Sequence, residues 1–189
     1  MEREFMFTGI GGQGVQLGAS VLGHAATLED RFVMLFGMYG GEMRGGTTDS
    51  TLVIADEPIS APPIVSKTWG AIVMHHEYWV PTRDKLRPGS AVFLNSTLFA
   101  DEFDRDPYCV VEVPATAIAS DLGAHMAGSM VMVGAVAAST GLVSLDSLVA
   151  AMEDSLPSYR KQHAPLNEKA LSAGFEYAEA GATPAWTDG

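Results

Sequence analysis

The sequence is poor in thiols and poor in positive charge. Of 189 residues only Cys109 is a cysteine, so the chain has no internal disulfide and lacks the several thiolates that an iron–sulfur cluster requires. Lysine and arginine number 11 against 23 aspartates and glutamates, a formal net charge of -12. A surface of that sign repels nucleic-acid phosphates and anionic membranes, which argues against both as partners. Low-complexity tracts, Gly/Ser linkers and fixed-period repeats are missing up to about residue 180. The opening "MEREFMF" carries charges of both signs and leads into no cleavage-type apolar segment, so the expected location is cytoplasmic. Leu122 to Leu145 has no formal charge, yet its glycine, serine, threonine and alanine make it only mildly hydrophobic. That composition fits a buried helix better than a membrane span.

What is present suits one compact domain over 1–189, with about 180–189 as a flexible tail. Apolar runs bounded by turn residues alternate with segments of helical spacing. The pattern predicts strands near 4–8, 32–36, 47–55, 70–75, 90–95 and 109–113, and helices near 13–28, 115–123, 127–140, 145–154 and 165–180. The fold class that follows is α/β, a three-layer α/β/α Rossmann-like domain with a largely parallel sheet. Ser144 and Ser147 are cap candidates ahead of Leu148, Met152 and Leu156. "LRPGS" at 86–90 reads as a turn before the strand "AVFLN", and the prolines of "EPISAPPI" mark an extended connection.

Two glycine-rich segments stand out. In "FMFTGIGGQG", Gly9, Gly11, Gly12 and Gly14 match G-x-G-x-x-G between a strand and a helix, the setting in which backbone amides approach a phosphate. A dinucleotide site also needs an acidic side chain closing the second strand. "RFVMLF" instead runs into Gly37 and Met38, with Glu29 and Asp30 lying before it. In "YGGEMRGG", Arg44 is the only basic residue between Arg31 and Lys67 and is flanked by Gly40, Gly41, Gly45 and Gly46. A guanidinium so placed offers bidentate bonds to a carboxylate or phosphate; the plainer alternative is a solvated surface loop. His75, His76 and Glu77 are adjacent at an expected strand end, where successive side chains point apart, so no metal site is assigned. His24 and His125 read as structural or interface residues, and Ser20, Ser50, Cys109 and Asp121 have no triad context, so no catalytic residue is assigned.

Taken in order, "GIGGQGV", "YGGEMRGG", "TTDSTLVI" and "VEVPATAIASDLG…MVMVGAV" resemble the gamma subunit, or gamma domain, of the 2-oxoacid:acceptor oxidoreductases, the pyruvate and 2-oxoglutarate:ferredoxin group, over about residues 4 to 175. One departure is Ser129, where the family commonly has asparagine. The resemblance implies one subunit of an enzyme that oxidatively decarboxylates a 2-oxoacid to an acyl-CoA and passes electrons to ferredoxin. Thiamine diphosphate, with magnesium, is then expected on alpha and beta partners and the iron–sulfur clusters on beta and delta partners, with coenzyme A as co-substrate. The single cysteine and the lack of a G-D-G motif agree with a chain that binds none of these cofactors alone and is inactive in isolation. Gly9, Gly11, Gly12, Gln13 and Gly14, with Tyr39, Gly40, Glu42, Arg44, Gly45 and Gly46, are then expected to shape a subunit interface or the edge of a shared site. The rivals are a free-standing nucleotide-binding oxidoreductase domain and a non-catalytic interaction protein.

Overall fold

The computed structural model describes residues 1–39, 46–60, 66–99 and 105–186, with the Met38 and Tyr39 side chains left out. Six strands form one mixed sheet in the order β2-β3-β1-β4-β5-β6. They are β1 (Glu2–Ile10), β2 (Phe32–Tyr39), β3 (Thr47–Ala55), β4 (Thr68–Val73), β5 (Leu86–Asn95) and β6 (Cys109–Val113). β1 is central. It runs antiparallel to β3 from Glu2↔Ala55 to Ile10↔Thr47 and parallel to β4 from Phe5↔Gly70 to Thr8↔Val73. β2 continues the antiparallel side, while β5 and β6 continue the parallel side.

The helices are α1 (Val15–Leu28), α2 (Trp79–Arg83), α3 (Ala115–Asp121), α4 (Gly128–Thr140), α5 (Leu145–Ser155) and α6 (Ala164–Tyr177). Period-2 alternation sends Phe5, Phe7, Ile72 and Phe93 to one face, against α1, α3, α4, α5 and α6. Met6, Val73, Val92 and Leu94 face the other side, where Trp79 of the five-residue α2 covers them. The second outer layer is therefore thin among the described residues.

α4 is buried along its whole length, which explains the uncharged sequence noted above. Its small residues let α6 approach closely. A Cβ on Gly134 would overlap the Leu171 carbonyl oxygen, and one on Gly174 would overlap that of Val131. No helix of the described residues is long and apolar enough to cross a membrane.

Two local expectations are corrected. Arg87, Pro88 and Gly89, read as a turn, lie inside β5, where a register shift between Thr68 and Gly70 absorbs the irregularity and Gly89 takes φ +79°. Residues 181–186, read as the start of a flexible tail, are tied back onto the end of α4. Gly181, Thr183 and Ala185 donate their amides to the carbonyls of Ala138, Ser139 and Thr140. Arg3 Nε donates to the Ala185 carbonyl at 2.6 Å, and the Arg31 guanidinium lies 4.1 Å from the Trp186 ring centroid.

Candidate functional site

The carboxyl ends of β1, β4, β5 and β6 lie along one edge of the sheet, the edge at which open α/β sheets place their ligands. β1 leaves its ladder at Ile10 and turns through Gly11 and Gly12, both exposed. Gln13 holds that turn from two sides. Its amide donates to the Ile10 carbonyl at 3.1 Å, and its side-chain Oε1 accepts from the Ile10 amide at 2.8 Å. Gly9 leaves room for this brace: a Cβ there would sit 2.6 Å from Gln13 Oε1 and 2.9 Å from the side chains of Met74 and Val15. Gln13 is therefore a structural clamp of the loop, a role that the glycine pattern by itself does not reveal.

Gly14 caps α1 in the left-handed region at φ +76°, and a Cβ on it would lie 2.5 Å from Ser129 Oγ at the start of α4. The amino ends of α1 and α4 are thus neighbours. Neither has a side-chain cap and neither carries an acidic residue in its first turn. Two positive helix ends side by side, lined by glycine and a buried serine, favour an anionic group.

The second glycine segment meets the first. The Gly11 amide donates to the Gly46 carbonyl at 3.0 Å, so the chain re-enters β3 against the turn that ends β1. Tyr39 closes β2 opposite Thr48. Gly40, Glu42, Arg44 and Gly45, with Gly41 and Met43, lie outside the described residues. Of the expected site, the structure therefore brings together Gly9, Gly11, Gly12, Gln13, Gly14 and Gly46, and places the backbone of Tyr39 seven residues before Gly46.

Side chains outside the expected site finish this edge. Gln16 in the first turn of α1 donates Nε2 to the Asp49 carbonyl at 3.0 Å. Burial pushes the Asp49 carboxyl above its ordinary value, with Lys85 opposing in part. Asn95, fully buried at the end of β5, donates Nδ2 to Met74 O at 3.2 Å and to Thr116 Oγ1 at 2.8 Å. Its Oδ1 accepts from the Thr116 amide at 3.2 Å, which ties the start of α3 to β4 and β5. The signal in the sequence was an amide side chain closing the apolar run "AVFL". Thr8 and Ser50 are buried beside the loop with hydroxyls that have no hydrogen-bond partner among the described residues.

His75, His76 and Glu77 follow Met74 at the same edge. They do not continue the strand: a 3-10 turn spans His76–Tyr78, with His75 extended before it. One possible ligand atom from each lies within 4.8 Å of those of the other two. The expectation that these side chains point apart is thereby overturned, because the turn replaces the alternation of a strand.

The family model described as pyruvate ferredoxin/flavodoxin oxidoreductase matches residues 4–177. The 2-oxoglutarate synthase subunit KorC of Methanocaldococcus jannaschii is 31% identical over 182 residues, covering 95% of each chain. The common gamma subunit of the pyruvate/ketoisovalerate oxidoreductases of Thermococcus litoralis is 29% identical over 180 residues, covering 92% of this chain and 95% of that one. Among solved structures, the gamma subunit of a keto/oxoacid ferredoxin oxidoreductase from Geobacter sulfurreducens superposes with a TM-score of 0.76 at 26% identity, covering 92% of this chain and 96% of that one.

Proposed function

The chain belongs to the pyruvate ferredoxin/flavodoxin oxidoreductase family, and from that membership we infer that it is the gamma subunit of a 2-oxoacid:ferredoxin oxidoreductase. The observation that carries this is similarity running nearly end to end, in both directions, with gamma-type subunits. The complex oxidatively decarboxylates a 2-oxoacid to an acyl-CoA in the cytoplasm and passes the electrons to ferredoxin. Thiamine diphosphate with magnesium and the iron–sulfur clusters do not fit this chain's own residues: its single thiol, Cys109, is exposed, and no G-D-G motif is present. They belong to the alpha and beta partners and, where the complex has one, to delta.

The gamma chain contributes positioning. The Gly9–Gly14 turn, joined to Gly46 and flanked by the amino ends of α1 and α4, faces a carboxylate or phosphate at a subunit junction or at the edge of the shared active site. The donor set suits such a group, coenzyme A phosphates included, because it offers backbone amides at two helix ends whose first turns hold no acid. Arg44, two residues before Gly46 in sequence, is the side chain proposed to pair with that anion.

The test begins with the dialysed full chain, which is expected to be colourless and inactive alone and to turn over 2-oxoacid with coenzyme A and a viologen acceptor once alpha and beta partners are added. Activity of the chain alone, or a tightly held nicotinamide or flavin, overturns the reading. Within the assembled complex Arg44→Ala should cost about 2–5 kcal/mol, the price of leaving a desolvated anion unpaired. Arg44→Lys should recover only part, since an ammonium lacks the planar fork. Assembly by size exclusion and turnover equal to wild type for Arg44→Ala would remove the site assignment while leaving the family reading intact.

A further inference from the structure

We propose that His75, His76 and Glu77 form a site for one divalent transition-metal ion of the zinc, cobalt or nickel class. The donor set is two imidazoles and a carboxylate, the combination that borderline cations select over the all-oxygen shells of magnesium and calcium. One possible ligand atom from each residue lies within 4.8 Å of the others, drawn together by the 3-10 turn that starts at His76. The His75 and His76 ring centroids are 4.4 Å apart, and His75 Nδ1 lies 3.9 Å from Glu77 Oε2. Ligand bonds of about 2.0–2.1 Å in a tetrahedral centre put donor atoms about 3.3–3.4 Å apart. The His75–Glu77 gap therefore closes by about half an ångström, and the widest pair of the three, at most 4.8 Å, by up to about 1.4 Å, within reach of rotations of the exposed His76 and Glu77 side chains.

The surroundings hold the rings ready. The Tyr78 amide bonds the His75 carbonyl at 3.1 Å and fixes the turn. Among the described residues the His75 Nδ1 lone pair is engaged by the Glu77 amide at 3.4 Å, a long contact that a cation displaces. His76 Nδ1 lies 3.1 Å from the Leu98 carbonyl, so a proton held there leaves Nε2 as the donor. This is the outer-shell arrangement that orients metal-bound histidines. A formal net charge of -12 favours cation approach. Three protein donors leave at least one coordination position for water or an exchangeable ligand. The turn sits at the carboxyl end of β4, directly after Met74, which packs against Gly9, so the ion stands at the edge that carries the glycine turn. The proposal rests on these three side chains and does not depend on the family reading.

The test is titration of the metal-stripped full chain with Co2+ and Zn2+, followed by calorimetry and by the visible ligand-field spectrum of the cobalt form. Wild type should bind one ion per chain and show a spectrum typical of low coordination number. His76→Gln and Glu77→Gln, both at exposed positions, should each weaken binding by more than the roughly 10–100-fold that follows loss of an outer-shell partner. His125→Gln, remote in sequence, should leave affinity and spectrum unchanged. Wild-type binding no tighter than that of the His75→Gln/His76→Gln double variant, with far-ultraviolet dichroism showing both folded, overturns the proposal. So does a cobalt spectrum unaffected by Glu77→Gln and His76→Gln.

Discussion

The two edges of the sheet are finished in opposite ways. At the amino edge, side chains are paired, although Glu4 Oε2 is buried with no hydrogen-bond partner among the described residues. Arg87 Nη2 meets Glu4 Oε1 at 2.6 Å, Ser90 Oγ accepts from the Arg87 amide and donates to the Thr68 carbonyl, both at 2.9 Å, and Lys67 Nζ bonds the Asp84 carbonyl at 2.9 Å. At the carboxyl edge, a glycine turn follows β1, two helix amino ends go without side-chain caps, and the Thr8 and Ser50 hydroxyls are buried without partners among the described residues. The difference lies in what each edge is built from: an ion pair and side-chain bonds at one, a glycine turn and uncapped helix ends at the other.

Disturbing the ion-paired edge should cost stability first. Arg87→Ala leaves the Glu4 carboxylate, only 10% exposed, without its cation, and should lower unfolding free energy by about 3 kcal/mol in urea titration. Pairing it with Glu4→Gln should restore much of the loss, whereas no recovery would mean that Arg87 acts through packing alone. At the open edge, Gly14→Ala forces a left-handed φ and a contact with Ser129, for about 2 kcal/mol of stability. Its larger signature should be loss of assembly with partner chains, and a variant that assembles normally would separate the turn from the junction. Thr8→Val removes a buried unpartnered hydroxyl at nearly constant shape and should gain about 1 kcal/mol. A loss instead would show that the hydroxyl is used.

The smallest effect is a pH dependence. Burial alone would raise the Glu29 carboxyl, but hydrogen bonds from the Ser144 amide and from the Ser147 and Ser144 hydroxyls, together with Arg31, bring it below its ordinary value. A lowered carboxyl contributes stability above its unfolded pKa and loses it as pH falls through the folded one. Asp49, raised by burial, works the other way: its contribution is present below its unfolded pKa and is lost as pH rises through the folded one. Glu29→Gln should accordingly cost less than about 1 kcal/mol near neutral pH and nothing in strong acid. Asp49→Asn should stabilise at neutral pH and lose that advantage in acid. Urea midpoints across the acid range check both signs.

Much of the element pattern could be read from residues. β3 and β6 fall where the apolar runs place them, and Ser144 Oγ does accept from the Ser147 amide at 3.2 Å. α2 escaped because "WVPTR" carries proline in a single turn too short for any period to show. Strand order was not legible, since β1 pairs with β3 and β4 through contacts that local pattern does not encode. At the site, the glycines of 9–14 were visible as a motif, while the Gln13 clamp, the Gly11–Gly46 bond and the Gly14–Ser129 contact exist only once distant segments meet. The convergence of His75, His76 and Glu77 was hidden for a different reason: it depends on whether the backbone continues as a strand or turns.

The bond from Arg3 to the Ala185 carbonyl spans 182 residues of sequence. Contacts of such separation pay their loop-closure entropy late, after the sheet and the α4–α6 pair have formed. During synthesis the central strand β1 emerges before the other five strands, yet the guanidinium at position 3 waits for the 182 residues up to Ala185 before it finds this acceptor. The clasp is accordingly expected to close late and open early, and amide exchange at Gly181, Thr183 and Ala185 should outpace that of α4 beneath them.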